Sequence, residues 1–226
     1  MDRYQRNMNA LSADENQKLK GFHVVVVGCG GLGGYIIEML ARLGIGTLTV
    51  IDGDVFDETN LNRQLLSSEQ NMGKAKVQAA VERIGLVNSQ ITVNPIHDIL
   101  TAENGLAMIS GTDLVFDALD NVSSRLILET LCETAGLPLV HGAIAGWFGQ
   151  VAVILPGDKT LHSILPEDVN KGIETELGNP AFTPALVASI EVAEGMKVLL
   201  GREGVLRNKL LTIDLLSQEY EVLSVI

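Results

Sequence analysis

Cysteine is scarce in this chain and basic residues are outnumbered. Only Cys29 and Cys132 occur among 226 residues. They form no metal-ligand pair, and two lone thiols fit a reducing compartment, so the expected location is the cytoplasm. Lys and Arg number 16 against 28 Asp and Glu, a formal net charge of −12. No nucleic-acid partner is expected, because a phosphate backbone selects clustered cations. No apolar run approaches the roughly 20 residues that span a bilayer. The opening segment MDRYQRNMNALSADENQKLK also lacks the apolar core of a signal sequence, so no membrane partner is expected. Repeats and low-complexity tracts are missing as well.

What is present suits one α/β domain over residues 1–226. Hydrophobic residues make up 46% and glycine contributes 23 positions, enough for a core that needs no staples. Residues 1–20 read as an arm and a short helix capped by Ser12. Residues 21–150 read as a nucleotide-binding half. Its strands are expected at His23–Val27, Thr47–Ile51, Ile91–Ile96, Leu114–Ala118 and from Leu139. Helices are expected at Leu32–Leu43, Lys74–Ile84, Leu100–Ile109 and Ser123–Ala135. Four consecutive valines mark the first strand as parallel and covered on both faces. Residues 151–226 read as an extension. It opens on the strand QVAVILP, and a poorly periodic flap follows from Asp158 to Phe182. A helix over Pro184–Leu200 and two antiparallel strands, Lys209–Leu216 and Glu219–Ile226, complete it. The expected architecture is a doubly wound, mostly parallel sheet extended by antiparallel C-terminal strands.

The chemistry concentrates where strands end. FHVVVVGCGGLGG runs from an apolar strand through a glycine turn into a helix, with Gly28, Gly30 and Gly33 in dinucleotide-binding spacing and Gly31 between them. Such a turn lets phosphate approach backbone N–H groups at a helix start. Asp52 closes the second strand, 19 residues after Gly33, where a carboxylate can take ribose hydroxyls. Up to here NAD and ATP fit equally. Asn60-Leu61-Asn62-Arg63-Gln64, Lys76 and Asp120-Asn121 add two cations, amides and a candidate magnesium ligand at strand ends. That is a parts list for nucleotidyl transfer from a triphosphate.

Taken in order, GxGGLG, Asp-Gly-Asp, NLNRQ, GKAK and DNxxxR resemble the ThiF/MoeB/HesA family, the bacterial branch of the ubiquitin-activating enzymes. The similarity runs closely from Arg3 to about Gln150 and loosely beyond. The resemblance implies a Rossmann-like adenylation domain, usually a homodimer. It also implies ATP-dependent adenylation of the C-terminal glycine carboxylate of a small ubiquitin-like sulfur carrier ending in Gly-Gly. Carried across, Gly31 and its neighbours lie against the phosphates and Asp52 binds ribose. Asn60, Arg63 and Lys76 contact phosphate, Gln64 belongs to the same segment, Asp120 holds magnesium, and Asn121 sits beside it. Arg3-Tyr4-Gln5-Arg6 resembles the family's RYxRQ segment with Asn7 in place of Gln, and Arg6 would reach the partner subunit's triphosphate. The catalytic set is then Arg6, Arg63, Lys76 and Asp120.

The chain departs from the family in lacking two CxxC pairs and a flap cysteine. No structural zinc is expected, and any thiol step on this enzyme is in doubt. Three other readings stay open. One is adenylation of a small carboxylate or modified nucleoside, as in the threonylcarbamoyladenosine dehydratase branch. The others are an NAD-dependent oxidoreductase and a non-catalytic partner subunit. Cys29 and Cys132 are expected to be packing residues, and His23, His97 and His162 surface or structural ones. His141 is a minor candidate for substrate contact, and Arg125 is placed either against Asp120 or against ligand. Asp54 and Asp57 are read as turn caps, and Trp147 and Phe148 lean towards the core over an apolar platform for the carrier.

Overall fold

The computed structural model describes residues 3–165 and 174–225. One eight-stranded sheet organises them: β1 (His23–Val27), β2 (Thr47–Ile51), β3 (Thr92–Ile96), β4 (Leu114–Asp117), β5 (Leu139–Ala145), β6 (Phe148–Ile154), β7 (Lys209–Asp214) and β8 (Glu219–Ser224). Their spatial order is β3-β2-β1-β4-β5-β6-β7-β8. Pairings among β1 to β5 are parallel, and β5 through β8 run antiparallel. The expected doubly wound sheet with its antiparallel extension is therefore the observed one.

The valines of β1 explain the layering. Val24 and Val26 face a core with helix α2 (Gly31–Leu43), helix α3 (Lys76–Val87) and helix α8 (Phe182–Leu200). Val25 and Val27 face the other, beneath α4 (Gly105–Ile109), α5 (Val122–Ala135) and α6 (Thr160–Ile164). With period two, a strand buried on both sides needs apolar residues at every position. Pro95 lies in β3, an edge strand, where a missing N–H costs no inner ladder bond. At the start of the chain, helix α1 (Ala13–Leu19) carries a full capping box between Ser12 and Glu15.

Two expectations are corrected. The helix over Leu100–Ile109 begins only at Gly105. Asn104 Oδ1 takes the Thr101 N–H at 2.7 Å, a local bond that competes with a helical start. The flap from Asp158 to Phe182 is not structureless where it is described, for it holds α6 and α7 (Glu174–Leu177). Residues 166–173 of that flap lie outside the described residues, as do Met1, Asp2 and Ile226. Glu129 on α5 is 3% exposed. Its carboxylate accepts the N–H groups of Leu161 at 2.7 Å and His162 at 3.1 Å and also pairs with the His162 ring. Leu161 is fully buried, so this end of the segment is anchored to the sheet.

The functional geometry depends on two glycines. Gly28 has φ +99°, and a Cβ there would stand 2.5 Å from the Ala118 carbonyl oxygen. At Gly33 a Cβ would meet the Gly28 carbonyl oxygen at 1.8 Å, so helix α2 lies directly on the turn that precedes it. At Gly31 the nearest atom would be 3.7 Å away. Gly33→Ala is accordingly expected to lower the melting temperature by about 5 °C or more, on the usual cost of overpacking. Gly31→Ala should stay within about 2 °C of wild type. Thermal unfolding of the two variants side by side measures this, and equal losses would contradict it.

Candidate active site

The strand order reverses between β1 and β4, and open α/β sheets bind ligands at the carboxyl ends of strands beside such a reversal. A cavity of about 400 Å³ lies there. Its wall includes Gly28, Gly30 and Gly31 after β1, Asp52 after β2, and Ala118 to Asn121 after β4. The first helical bond of α2 runs from Gly34 N–H to the Gly30 carbonyl at 3.0 Å. The N–H groups of Gly31, Leu32 and Gly33 precede it and have no partner within the helix, which makes this end a place for an anion.

Asp52 is fixed rather than free. One oxygen accepts Cys29 N–H at 2.7 Å and the other accepts Asp54 N–H at 2.8 Å. Lys76 opens α3 and is 7% exposed. Its ammonium lies 4.0 Å from Asp52 and 2.9 Å from Asp54. Arg63 rises from the other rim, with Cγ and Cδ 3.8 and 3.9 Å from where a Gly31 Cβ would be. Its guanidinium is held by Thr59 O at 3.0 Å and Asn62 Oδ1 at 2.9 Å. Gln64 is buried beside Gly30, and its Oε1 has no hydrogen-bond donor among the described residues. Asp120 is exposed at the mouth, and Asn121 caps α5 by accepting Ser124 N–H at 2.9 Å.

The structure thus gathers Gly28, Gly30, Gly31, Asp52, Arg63, Gln64, Lys76, Asp120 and Asn121 around one cavity. It does not place Gly33, Asn60 or Arg6 in the wall. Gly33 serves helix packing. Asn60 is buried, and its side chain closes a capping box with Asp57. Arg6 sits exposed in the 3-10 turn Gln5–Asn7. Arg125 turns towards Asp117, 3.9 Å away, rather than Asp120. The sequence reading undervalued Asp54, seen only as a cap although it pairs with Lys76, and missed Asp98, Ile99 and Leu100 after β3. Only Asp54 carried a signal, as the second aspartate of Asp-Gly-Asp.

His141 is not a substrate contact. It is fully buried, with Nδ1 2.7 Å from Asp117 Oδ2 and Nε2 3.1 Å from Gln150 Nε2. Burial lowers its pKa against the pull of Asp117. A neutral ring with the proton on Nδ1 satisfies both contacts when the Gln150 amide donates. Trp147 and Phe148 are 44% and 43% exposed, not core, and Trp147 leans on Phe182 at 4.5 Å between ring centroids. Both thiols are buried. Desolvation raises that of Cys29 and pushes that of Cys132 up to about 12, so neither is an activated nucleophile.

The ThiF family model matches residues 4–225. The chain belongs to the ThiF family. As a ThiF-family protein it is 33% identical over 226 residues to a SAMP-activating enzyme E1 of Haloferax volcanii, across 98% of this chain and 84% of that one. A sulfur carrier protein adenylyltransferase of Thermus thermophilus is 34% identical over 238 residues, covering 100% of this chain and 87% of its own. A molybdopterin-synthase adenylyltransferase of Salmonella typhimurium is 33% identical over 206 residues, covering 88% and 82%. The crystal structure of E. coli MccB with ATP superposes with a TM-score of 0.84 at 23% identity. It covers 99% of this chain and 70% of that one, which shows the fold alone.

One buried carboxyl beneath the ThiF-family site stands without a partner. Glu191 of α8 is fully buried, and neither oxygen has a hydrogen bond among the described residues. Desolvation raises its pKa well above the usual range, Asp117 adds to the rise and Arg125 opposes it. The folded chain therefore holds a proton that the unfolded chain releases above the ordinary carboxylate pKa, and stability falls as pH climbs through and beyond that value. Glu191→Gln should raise the melting temperature at pH 8 by clearly more than at pH 4. A gain independent of pH in thermal scans would contradict the neutral assignment.

Proposed function

We propose that this chain adenylates the C-terminal glycine carboxylate of a small ubiquitin-like sulfur-carrier protein with ATP and magnesium, releasing pyrophosphate. The observation that carries the reading is the meeting of the glycine turn, the Asp52–Lys76 pair, Arg63 and Asp120 around one cavity. Relatives named as sulfur-carrier and molybdopterin-synthase adenylyltransferases support it.

The cavity wall has four carboxylates, Asp52, Asp54, Asp98 and Asp120, against three cations, Arg63, Lys76 and Arg125. A bare triphosphate is poorly matched to that balance, so it needs added positive charge. Among the described residues no three His, Cys, Asp or Glu side chains gather into a metal cage. Magnesium does not require one: a single carboxylate, phosphate oxygens and waters are a donor set it takes, and Asp120 fits that part. Bound so, the cation would neutralise the departing pyrophosphate. Arg6 of a second copy is the further cation, which makes the active species a homodimer.

The chain's own residues do the rest by position and charge. Asp52 takes a ribose hydroxyl on lone pairs left by Cys29 and Asp54. The open N–H groups of α2 take phosphate oxygens. Lys76 and Arg63 reduce the repulsion between the carrier's carboxylate and the α-phosphoryl group. A carboxylate oxygen bonds to the α-phosphorus as the bridging oxygen leaves with pyrophosphate, and no covalent enzyme intermediate is needed. The carrier docks on the exposed Trp147, Phe148 and Phe182, and its tail follows the segment 178–181. Asn179 of that segment reaches the cavity wall, and its carbonyl accepts from Asn62 at 3.1 Å. The buried, unactivated thiols leave sulfur delivery to another protein and fit a cytoplasmic setting.

ATP–pyrophosphate exchange with candidate carriers ending in Gly-Gly tests the reading. Exchange is expected with a carrier and is expected to fall by about 100-fold or more in Arg63→Ala and Asp120→Ala. Exchange driven only by a small carboxylate, or turnover of a reduced nicotinamide, would replace it with one of the other readings.

A further inference from the structure

The backbone of Leu119, the residue before Asp120, is gripped on both its N–H and its carbonyl. Leu119 lies beyond the end of β4, where the sheet offers its backbone no ladder. Its N–H donates to Asp117 Oδ1 at 3.0 Å, and its carbonyl accepts from Arg125 Nη2 at 2.6 Å. Neither grip is loose. Asp117 is fully buried, and its other oxygen takes the His141 Nδ1 proton at 2.7 Å. Asp117 and His141 are themselves cross-strand partners in β4 and β5, so the sheet register fixes their meeting.

Arg125 borders the cavity, but the contacts it makes within the chain are those of this grip. Its side chain is 12% exposed, and its Nε lies 3.9 Å from Asp117 Oδ2. That Nε is buried without a hydrogen-bond acceptor among the described residues. One edge of the guanidinium thus faces Asp117 and one nitrogen is spent on Leu119. Asp120 itself is exposed, with a long 3.3 Å hydrogen bond from the Asn121 amide. An exposed carboxylate has many rotamers, and what limits it is the direction of the peptide it springs from.

We infer that Arg125, backed by Asp117, is a positioning residue that clamps the Leu119 peptide and thereby aims Asp120 at a nucleotide-bound divalent cation. What Asp120 meets rests on the adenylation reading; the clamp itself does not. Residues that orient a metal-binding group typically change metal affinity by about 10- to 100-fold when lost, while direct ligands change binding of the nucleotide itself.

The full chain is compared as wild type, Arg125→Gln, Arg125→Lys and Asp120→Ala, each confirmed folded by thermal unfolding. Amide hydrogen exchange at Leu119 and Asp120 is read in the protein alone, and ATP affinity is read by calorimetry with EDTA and with manganese. Arg125→Gln is expected to speed exchange about tenfold at the Leu119 amide, which Asp117 holds. It should leave affinity in EDTA within about twofold and weaken manganese–ATP by about tenfold. Arg125→Lys, which keeps one donor, should fall between. Asp120→Ala should lose the manganese gain with Leu119 exchange unchanged. Unaltered exchange in Arg125→Gln overturns the clamp. Equal losses with and without metal overturn it too, because they make Arg125 a phosphate ligand. A wild-type protein that gains nothing from manganese overturns the metal part of the adenylation reading instead, and exchange at Leu119 still decides the clamp.

Discussion

Helix α2 lies so close to the turn before it that a single methyl group at Gly33 would strike the Gly28 carbonyl oxygen, at 1.8 Å. The site depends on that approach. It holds the first turn of α2 against the ends of β1 and β4, so that the open N–H groups, Asp52 and the loop bearing Asp120 share one cavity. Gly28, with its left-handed backbone against Ala118, makes the same approach from the other side. The two contacts use the absence of side chains as their structural element. A residue-by-residue count of favourable contacts would miss them.

Charge in the cavity is organised by compensation rather than by surplus. Lys76 is nearly buried but stands beside two carboxylates, and Asp52 is held by two backbone N–H groups. Such a pairing sets a buried ammonium close to opposite charge in a fixed geometry, which offsets part of the cost of taking it out of water. It also means that the cavity is not a simple positive funnel, consistent with a net charge of −12 for the chain. On the proposed adenylation reading a triphosphate would bring its own cation into this setting, and the Asp120 loop is where that cation would be met. Behind the wall, Asp117, His141 and Arg125 tie that loop to the sheet, while burial favours the protonated form of Glu191 on α8.

Much of this was legible in the sequence because the relevant physics is local. The valine run of β1, the capping box at Ser12 and the glycine spacing each report a nearby constraint, and the strand ends at Asp52 and Asp120 follow from them. What was not legible depends on distant partners. The anchoring of α6 comes from Glu129, 32 residues before Leu161. Arg125 reads as either a partner of Asp120 or a ligand contact, yet the sheet brings Asp117 to it. His141 reads as the end of the fifth strand near the site, yet it lies inside β5 and faces the buried Asp117 rather than the cavity. Trp147 and Phe148 look like core by composition, and only the hairpin between β5 and β6 turns them outward.

The central claim is that this cavity takes a triphosphate through the glycine turn and Lys76 together. Calorimetric binding of ATP, AMP and NAD in the presence of magnesium tests it most directly, with Lys76→Ala as the comparison. The account predicts that ATP binds more tightly than AMP or NAD and that Lys76→Ala removes most of the advantage of ATP over AMP. Tighter binding of NAD, or equal binding of ATP and AMP by the unaltered chain, would contradict it.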